Sequence, residues 1–256
     1  MQSQYWRNQA TVDSGYYAAF TGLLARQQAL DATANNLANT NTTGFRAERE
    51  FFSDVLGGPD AFGSQLNTAV NDYGVLGGNQ IDLSQGQMVS TGNPLDLALE
   101  GQGFFAVEDP QGNTQYTRDG SFMRSTKGVL TTSLGERVLD AKGKPITIPT
   151  GPVTIAADGT VSVNGGATGK IGIFTFATGT PLVPEGLNRY QTPPKTATVT
   201  TAAVVHQGKL ESSNQNVVQG TLQLILVQRQ AEMMMKALSV FSNDLDQQAS
   251  QDLPRI

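Results

Sequence analysis

Two segments at opposite ends of this chain carry apolar residues at heptad spacing, and this pairing constrains the fold more than any other feature. From Tyr16 the register runs through Phe20, Leu23, Leu30, Ala34 and Leu37, with Gln27 the one polar entry. From Leu224 it runs through Val227, Ala231, Met234, Leu238, Phe241 and Leu245 without a break. Steps of three and four residues place these side chains on one helix face, the a/d pattern of a coiled-coil seam. Ser14 or Asp13 can cap the first helix. The cluster Asn39–Gly44 ends it, since Asn and Gly tolerate the left-handed backbone of a helix stop. An isolated helix of roughly 20 residues with so narrow a stripe is marginal in water. The two seams are therefore expected to pair, with each other or with neighbouring subunits. The plainer alternative is a pair of amphipathic helices that cap a central domain.

Between the seams the texture changes. From about Ile81 to Val205 helical periodicity is almost absent, and turn signals recur: Pro110–Asn113, Arg118–Gly120, Leu134-Gly135, Lys142–Pro145, Asp158-Gly159 and Asn164–Gly166. Short β-rich pieces lie between them at Phe104–Val107, Pro145–Ile148, Val153–Ile155, Thr160–Val163, Lys170–Phe176 and Thr196–Val199. Asp-Gly and Asn-Gly between such runs are strong hairpin signals. The sequence thus predicts an α+β fold, with terminal helices pairing as a coiled coil around an inserted all-β domain of hairpins. Residues 1–45 hold the first helix and its Gly-Phe turn, 46–90 a connecting region, 91–205 the β domain, and 206–256 a second connecting segment and helix.

Composition narrows the chemistry. With 17 basic against 22 acidic residues and no Lys/Arg cluster, the chain lacks the electrostatic footprint of a nucleic-acid binder. Cysteine is absent and histidine occurs once, which removes thiol nucleophiles, disulfides, Cys/His zinc sites and the usual His-based triads. The apolar runs are too short to span a bilayer. The first 15 residues lack the apolar core of a secretory signal, so export, if it occurs, is expected to follow another route.

The remaining motifs carry little. Gly101–Ala106 has the letters of a dinucleotide fingerprint, but a β-type run follows where a helix should start. Gly165–Ile171 resembles a phosphate-binding loop one residue short, with Ile171 where a hydroxyl should hold magnesium. His206 has no second His or Cys with which to share a metal. Asp244 and Asp246 point to different helix faces. Arg229, Glu232 and Lys236 read as a solvated stripe first and an intersubunit contact second. Met233–Met235 suits an adaptable contact surface. Catalytic, cofactor and metal sites are accordingly expected to be none.

Three segments, taken in order, resemble one family. Leu30–Ala47, which contains Asn35, Asn36, Asn39, Gly44 and Phe45, is similar to the Asn-Asn-Leu-Ala-Asn…Gly-Phe-Arg motif of flagellar basal-body rod, hook and hook-associated proteins. Pro94–Val107 followed by Tyr116–Phe122 resembles the start of the central β domain in the rod and hook branch, and Gly208–Val218 resembles the carboxy-terminal segment. Asn93–Leu99 and Ile155–Val161 look most like the proximal-rod member. Gln215 stands where relatives usually carry Val. Met1–Thr11 extends past the family's usual start, so Val12 is a second candidate initiator.

The resemblance implies a structural, non-enzymatic subunit of a helical tube. Its terminal helices would nest as coiled coils lining the bore, with seams at Phe20, Leu23, Leu30 and Leu37 and at Leu224, Val227, Met234, Leu238, Phe241 and Leu245. It implies no cofactor. Partners would be self, other axial proteins and the flagellar type III export apparatus, with no nucleic acid and no membrane insertion. The location would be the rod crossing the periplasm. The alternatives are a distal-rod or hook-like relative, and a periplasmic wall-remodelling enzyme, for which the sequence offers no paired general acid.

Overall fold

The computed structural model describes the backbone of residues 2–53, 75–177, 179–194, 196–200 and 202–252. Side chains are described over 20–49 and 80–240, apart from 178, 195 and 201. The chain divides into two compact units, Met1–Leu37 with Glu48–Gln80 and Val217–Ile256, and Ala38–Ala47 with Ile81–Asn216.

The first unit holds the two helices predicted from the seams. Helix α1 spans Gln2–Ala38 and α2 spans Val217–Asp252, with a two-stranded sheet of β1 (Glu48–Ser53) and β2 (Val75–Ile81). Helix α1 begins at Gln2 and not at the Ser14 or Asp13 cap, because no proline interrupts the segment ahead of them. It ends where expected, in the Asn-rich turn. Thr42 N–H donates to Asn39 O at 3.1 Å and the Thr42 hydroxyl to Asn39 Oδ1 at 3.1 Å.

The second unit is all β. Its largest sheet has nine strands. They run in spatial order β14 (Val183–Pro184), β15 (Tyr190–Gln191), β6 (Thr114–Thr117), β5 (Phe104–Glu108), β9 (Arg137–Val138), β8 (Leu130–Thr132) and β7 (Phe122–Arg124). Strand β13 (Ile173–Phe176) also pairs with β5, and β16 (Ala197–Val199) pairs with β13. A three-stranded sheet is formed by β10 (Val153–Ile155), β11 (Thr160–Val163) and β12 (Gly166–Lys170). Asn164 and Gly165 join β11 to β12 with φ of 52° and 82°, as a two-residue turn of primed type requires.

Two further strand pairs bring in chain from the carboxy-terminal side. Strand β4 (Leu97–Glu100) pairs with β17 (Val204–Gln207), and β3 (Met88–Ser90) pairs with β18 (Lys209–Glu211), both antiparallel. Residues 38–47 and 206–216 thus share contacts with the β body, whose limits the sequence reading set at 91–205.

Adjacent phenylalanines on β5 point to opposite faces, as strand geometry demands. Phe105 enters the main core with Leu97, Leu99, Leu130, Ile148 and Val161, and meets Phe122 edge-on at 5.1 Å. Phe104 joins a smaller cluster with Ile81 and Tyr190. Each fully buried side chain of this size contributes about 1.5–3 kcal/mol.

Two expected strands differ. Pro145–Ile148 makes only single bridges, because Ile146 donates to Val138 O on one side and accepts from Leu130 N–H on the other. Lys170–Phe176 breaks at Gly172, where the chain crosses so close to the Asp140 backbone that a Cβ would lie 2.6 Å from it.

Candidate functional site

The turn after α1 has a backbone that only glycine suits. Gly44 has φ of +68°, and a Cβ there would sit 2.4 Å from Arg118 C and Asp119 N. Its N–H donates to Glu211 O at 2.7 Å. Phe45 is buried behind it, and Asn214 N–H donates to Phe45 O at 3.3 Å. Asn36, buried at the end of α1, donates from Nδ2 to Glu48 O at 2.8 Å and accepts from Glu48 N–H at 2.9 Å. Its side chain thereby acts as one rung of a sheet ladder. Asn35 is exposed.

Arg46 then runs into the interior. Its Nη2 lies 2.6 Å from Glu211 Oε1, and both side chains are fully buried. Glu211 Oε1 also accepts from Gly86 N–H at 2.8 Å, and Oε2 accepts from Arg118 Nη1 at 3.1 Å. Arg118 also donates from Nη1 to the carbonyl of Leu99 at 3.2 Å and from Nη2 to that of Gly101 at 2.5 Å, and its guanidinium lies over the Phe104 ring at 5.4 Å. Asn214 closes the edge of the cluster, accepting from Ala47 N–H at 2.8 Å and donating to the carbonyls of Asp82 and Ser84. The three segments that carry the family resemblance therefore meet at one carboxylate.

The cluster is unbalanced. Two guanidinium groups share one carboxylate, and Arg46 Nε, Arg46 Nη1 and Arg118 Nε are buried without a hydrogen-bond partner. Desolvation pulls the pKa of the Arg118 guanidinium down to about 10; Glu211 opposes this and the nearby Arg46 charge adds to it. Arg118 remains a cation at neutral pH. A second buried pair is balanced by contrast: Arg189 Nη2 meets Glu136 Oε2 at 2.6 Å, and Thr132 and Thr117 supply further partners.

Arg46, Arg118 and Glu211 lie inside the three motifs, but their letters alone do not single them out. No local signal separates them, since Asp119 stands beside Arg118 and Lys209 two positions before Glu211.

The seam residues divide by helix. On α2 the least exposed line is Leu224, Val227, Ala231, Met234 and Leu238, extended back one step by buried Gly220. Arg229, Glu232 and Lys236 lie exposed on the opposite face. A second apolar set, Val218, Leu222, Leu226 and Met233, is exposed. The side chains of Phe241 and Leu245 lie outside the described residues, as does that of Tyr16. On α1 the buried line is Gly22, Ala25, Ala29, Ala32 and Asn36, while Phe20 is exposed and Leu23, Leu30 and Leu37 are half-buried.

His206, set aside above as a metal ligand, sits on β17 with Nε2 2.6 Å from Glu100 Oε2. Gly101 and Gly103 precede strand β5, so no helix N-terminus faces them.

Comparison with known proteins agrees with the convergence of these segments. Residues 17–46 match the family described as flagella basal body rod protein, and residues 98–163 match the flagellar hook protein FlgE/F/G D1 domain. The chain is 37% identical over 232 residues to the flagellar basal-body rod protein FlgF of Caulobacter vibrioides, covering 89% of this chain and 93% of that one. It is 36% identical to FlgF of Mesorhizobium japonicum, covering 84% and 88%. It is 34% identical to the flagellar basal-body rod protein FlgG of Bacillus subtilis, covering 83% and 89%. Arg46 falls within the first matched segment and Arg118 within the second; Glu211 lies in neither.

Proposed function

The chain belongs to the flagellar basal-body rod protein family, and on that footing we propose that it is a structural subunit of the proximal rod, polymerising into a helical tube that transmits torque and leaves an axial channel. The observation that carries this reading is the apolar surface of α2. One line, Leu224 to Leu238, is sheltered within the chain, and a second, Val218, Leu222, Leu226 and Met233, stands in water. That exposed apolar set, interleaved with Arg229 and Lys236, gives the helix a contact surface beyond the one its own chain covers. Copies of the chain related by a head-to-tail operation that does not close cover it, and such a contact builds a tube.

In this reading the terminal helices pack as coiled coils through Phe20, Leu23, Leu30 and Leu37 on α1 and the Leu224–Leu245 seam on α2, and the exposed line of Val218, Leu222, Leu226 and Met233 meets neighbouring copies. Further partners are the adjoining axial proteins and the type III export apparatus, with the rod crossing the periplasm. Assignment to the proximal segment is supported by Asn93–Leu99 and Ile155–Val161. The test is deletion in the source bacterium, followed by localisation of a tagged copy in purified basal bodies. Loss of swimming, with label at the base of the rod, is the expected result. Label at the distal end selects the distal-rod alternative, and normal rods in the deletion strain overturn the reading altogether.

A further inference from the structure

From the two-to-one charge of the buried cluster, we infer that residues 38–47 form a detachable strap, which docks as a separate step on a β body already closed by Glu211 and Arg118. This goes beyond the rod assignment, since it concerns how one subunit is put together, whatever it later binds.

Each partner of Arg46 keeps contacts of its own when Arg46 leaves. Glu211 retains Arg118 Nη1 at 3.1 Å and Gly86 N–H at 2.8 Å, so its carboxylate stays paired one to one and hydrogen-bonded. Arg118 retains the carbonyls of Leu99 and Gly101 and the face of Phe104. The β3–β18 and β4–β17 ladders contain no residue of the strap. Loss of Arg46 leaves neither charged side chain of the body without a partner. Docking, in turn, brings in a second cation whose Nε and Nη1 find no partner in the interior. Burying unmatched donors and a like charge beside Arg118 opposes docking.

What favours docking is a short set of bonds outside the ion cluster. Gly44 N–H reaches Glu211 O, Ala47 N–H reaches Asn214 Oδ1, and Ala47 O accepts from Asp82 N–H at 2.8 Å. Phe45 O accepts from Asn214 N–H, and Thr43 O accepts from Asn188 Nδ2 at 2.7 Å. Phe45 and Ala47 add buried apolar surface. Arg46 is thus a brake on a latch made by its neighbours. The strap lies between α1 and the β body in the chain.

Hydrogen exchange on the full-length protein tests this residue by residue. Amides of Gly44, Ala47, Asp82 and Asn214 report the strap, and those of Gly86, Leu97, Phe122 and Ser212 report the body. In the native chain the strap amides are expected to exchange through an opening that leaves the body amides protected. Arg46→Met keeps the apolar stem and removes the surplus charge. It is expected to slow strap exchange about tenfold or more with body rates unchanged. Strap and body exchanging in one common opening overturns the inference. So does faster strap exchange in Arg46→Met, or a variant whose body no longer folds, because the inference holds that the body closes without Arg46.

Discussion

Glu211 Oε1 and Arg46 Nη2 lie 2.6 Å apart although 165 positions separate them in sequence. Gly44 N–H to Glu211 O and Ala47 N–H to Asn214 Oδ1 join the same two segments, and Arg118 completes the contact from the middle of the chain. Three distant stretches of the chain thus meet at one carboxylate.

Removing the carboxylate tests this. Glu211→Gln leaves two buried guanidinium groups with no counter-charge, a change that costs about 3–5 kcal/mol in comparable buried pairs. Thermal unfolding of the purified protein should show the β transition lowered by many degrees. Arg137→Ala removes a half-exposed pair with Glu108 and should cost under about 1 kcal/mol. Equal melting temperatures for the two variants would contradict the role given to Glu211.

Gly44 tests the turn. A side chain at φ of +68° costs roughly 1–2 kcal/mol, and here it also strikes the Arg118–Asp119 backbone. Gly44→Ala and, more strongly, Gly44→Val should speed amide exchange at Ala47 and Asn214 and abolish swimming, with the melting of the β body unchanged. Swimming at the normal rate in Gly44→Val refutes the assignment.

Leu238 tests the polymer seam. It is half-buried in the single chain, so an aspartate there can keep contact with water until neighbours close over it. Burying an unpaired carboxylate costs several kcal/mol, and every subunit of a tube would repeat that cost. Leu238→Asp should be stable and folded when purified, yet absent from basal bodies, whereas Glu232→Gln on the charged face should assemble. Unfolding of the purified Leu238→Asp protein would mean that the seam is a packing face of the monomer.

The β10–β11 hairpin tests local electrostatics. A hydrogen bond from Lys170, and after it bonds from the Thr160 backbone and hydroxyl, pull Asp158 from 3.8 down to about 2. Its folded value is the depressed one, so its stabilising contribution is complete above 3.8 and is lost as the pH falls through about 2. Carbon NMR titration of the Asp158 carboxyl should give a midpoint near the lower value. Lys170→Met should raise it toward 3.8; an unmoved midpoint would remove Lys170 as the main cause.

Several features of this protein were legible from residues a few positions apart. Heptad steps marked α2 and its sheltered line from Leu224 to Leu238, and Asn164-Gly165 marked a primed turn. Gly44 was recognisable as a residue needing positive φ. Each of these depends on local backbone preference or on periodicity along a single element, and both are written in adjacent letters. The line that α1 buries could not be read in the same way. Alanine and glycine at Gly22, Ala25, Ala29 and Ala32 carry almost no hydropathy contrast, so periodicity favoured the larger Phe20, Leu23 and Leu30.

The convergence of Arg46, Arg118 and Glu211 was likewise decided only in three dimensions. Each is an ordinary charged residue in its own segment, and nothing within ten positions of any of them names its partner. Their pairing follows from the β3–β18 and β4–β17 ladders, which carry the carboxy-terminal strands back beside residues 86–100. The outcome depends on chain crossings and on the desolvation of one shared carboxylate. Neither is a property of local sequence, because contacts separated by 93 to 165 positions exist only after the sheets have formed.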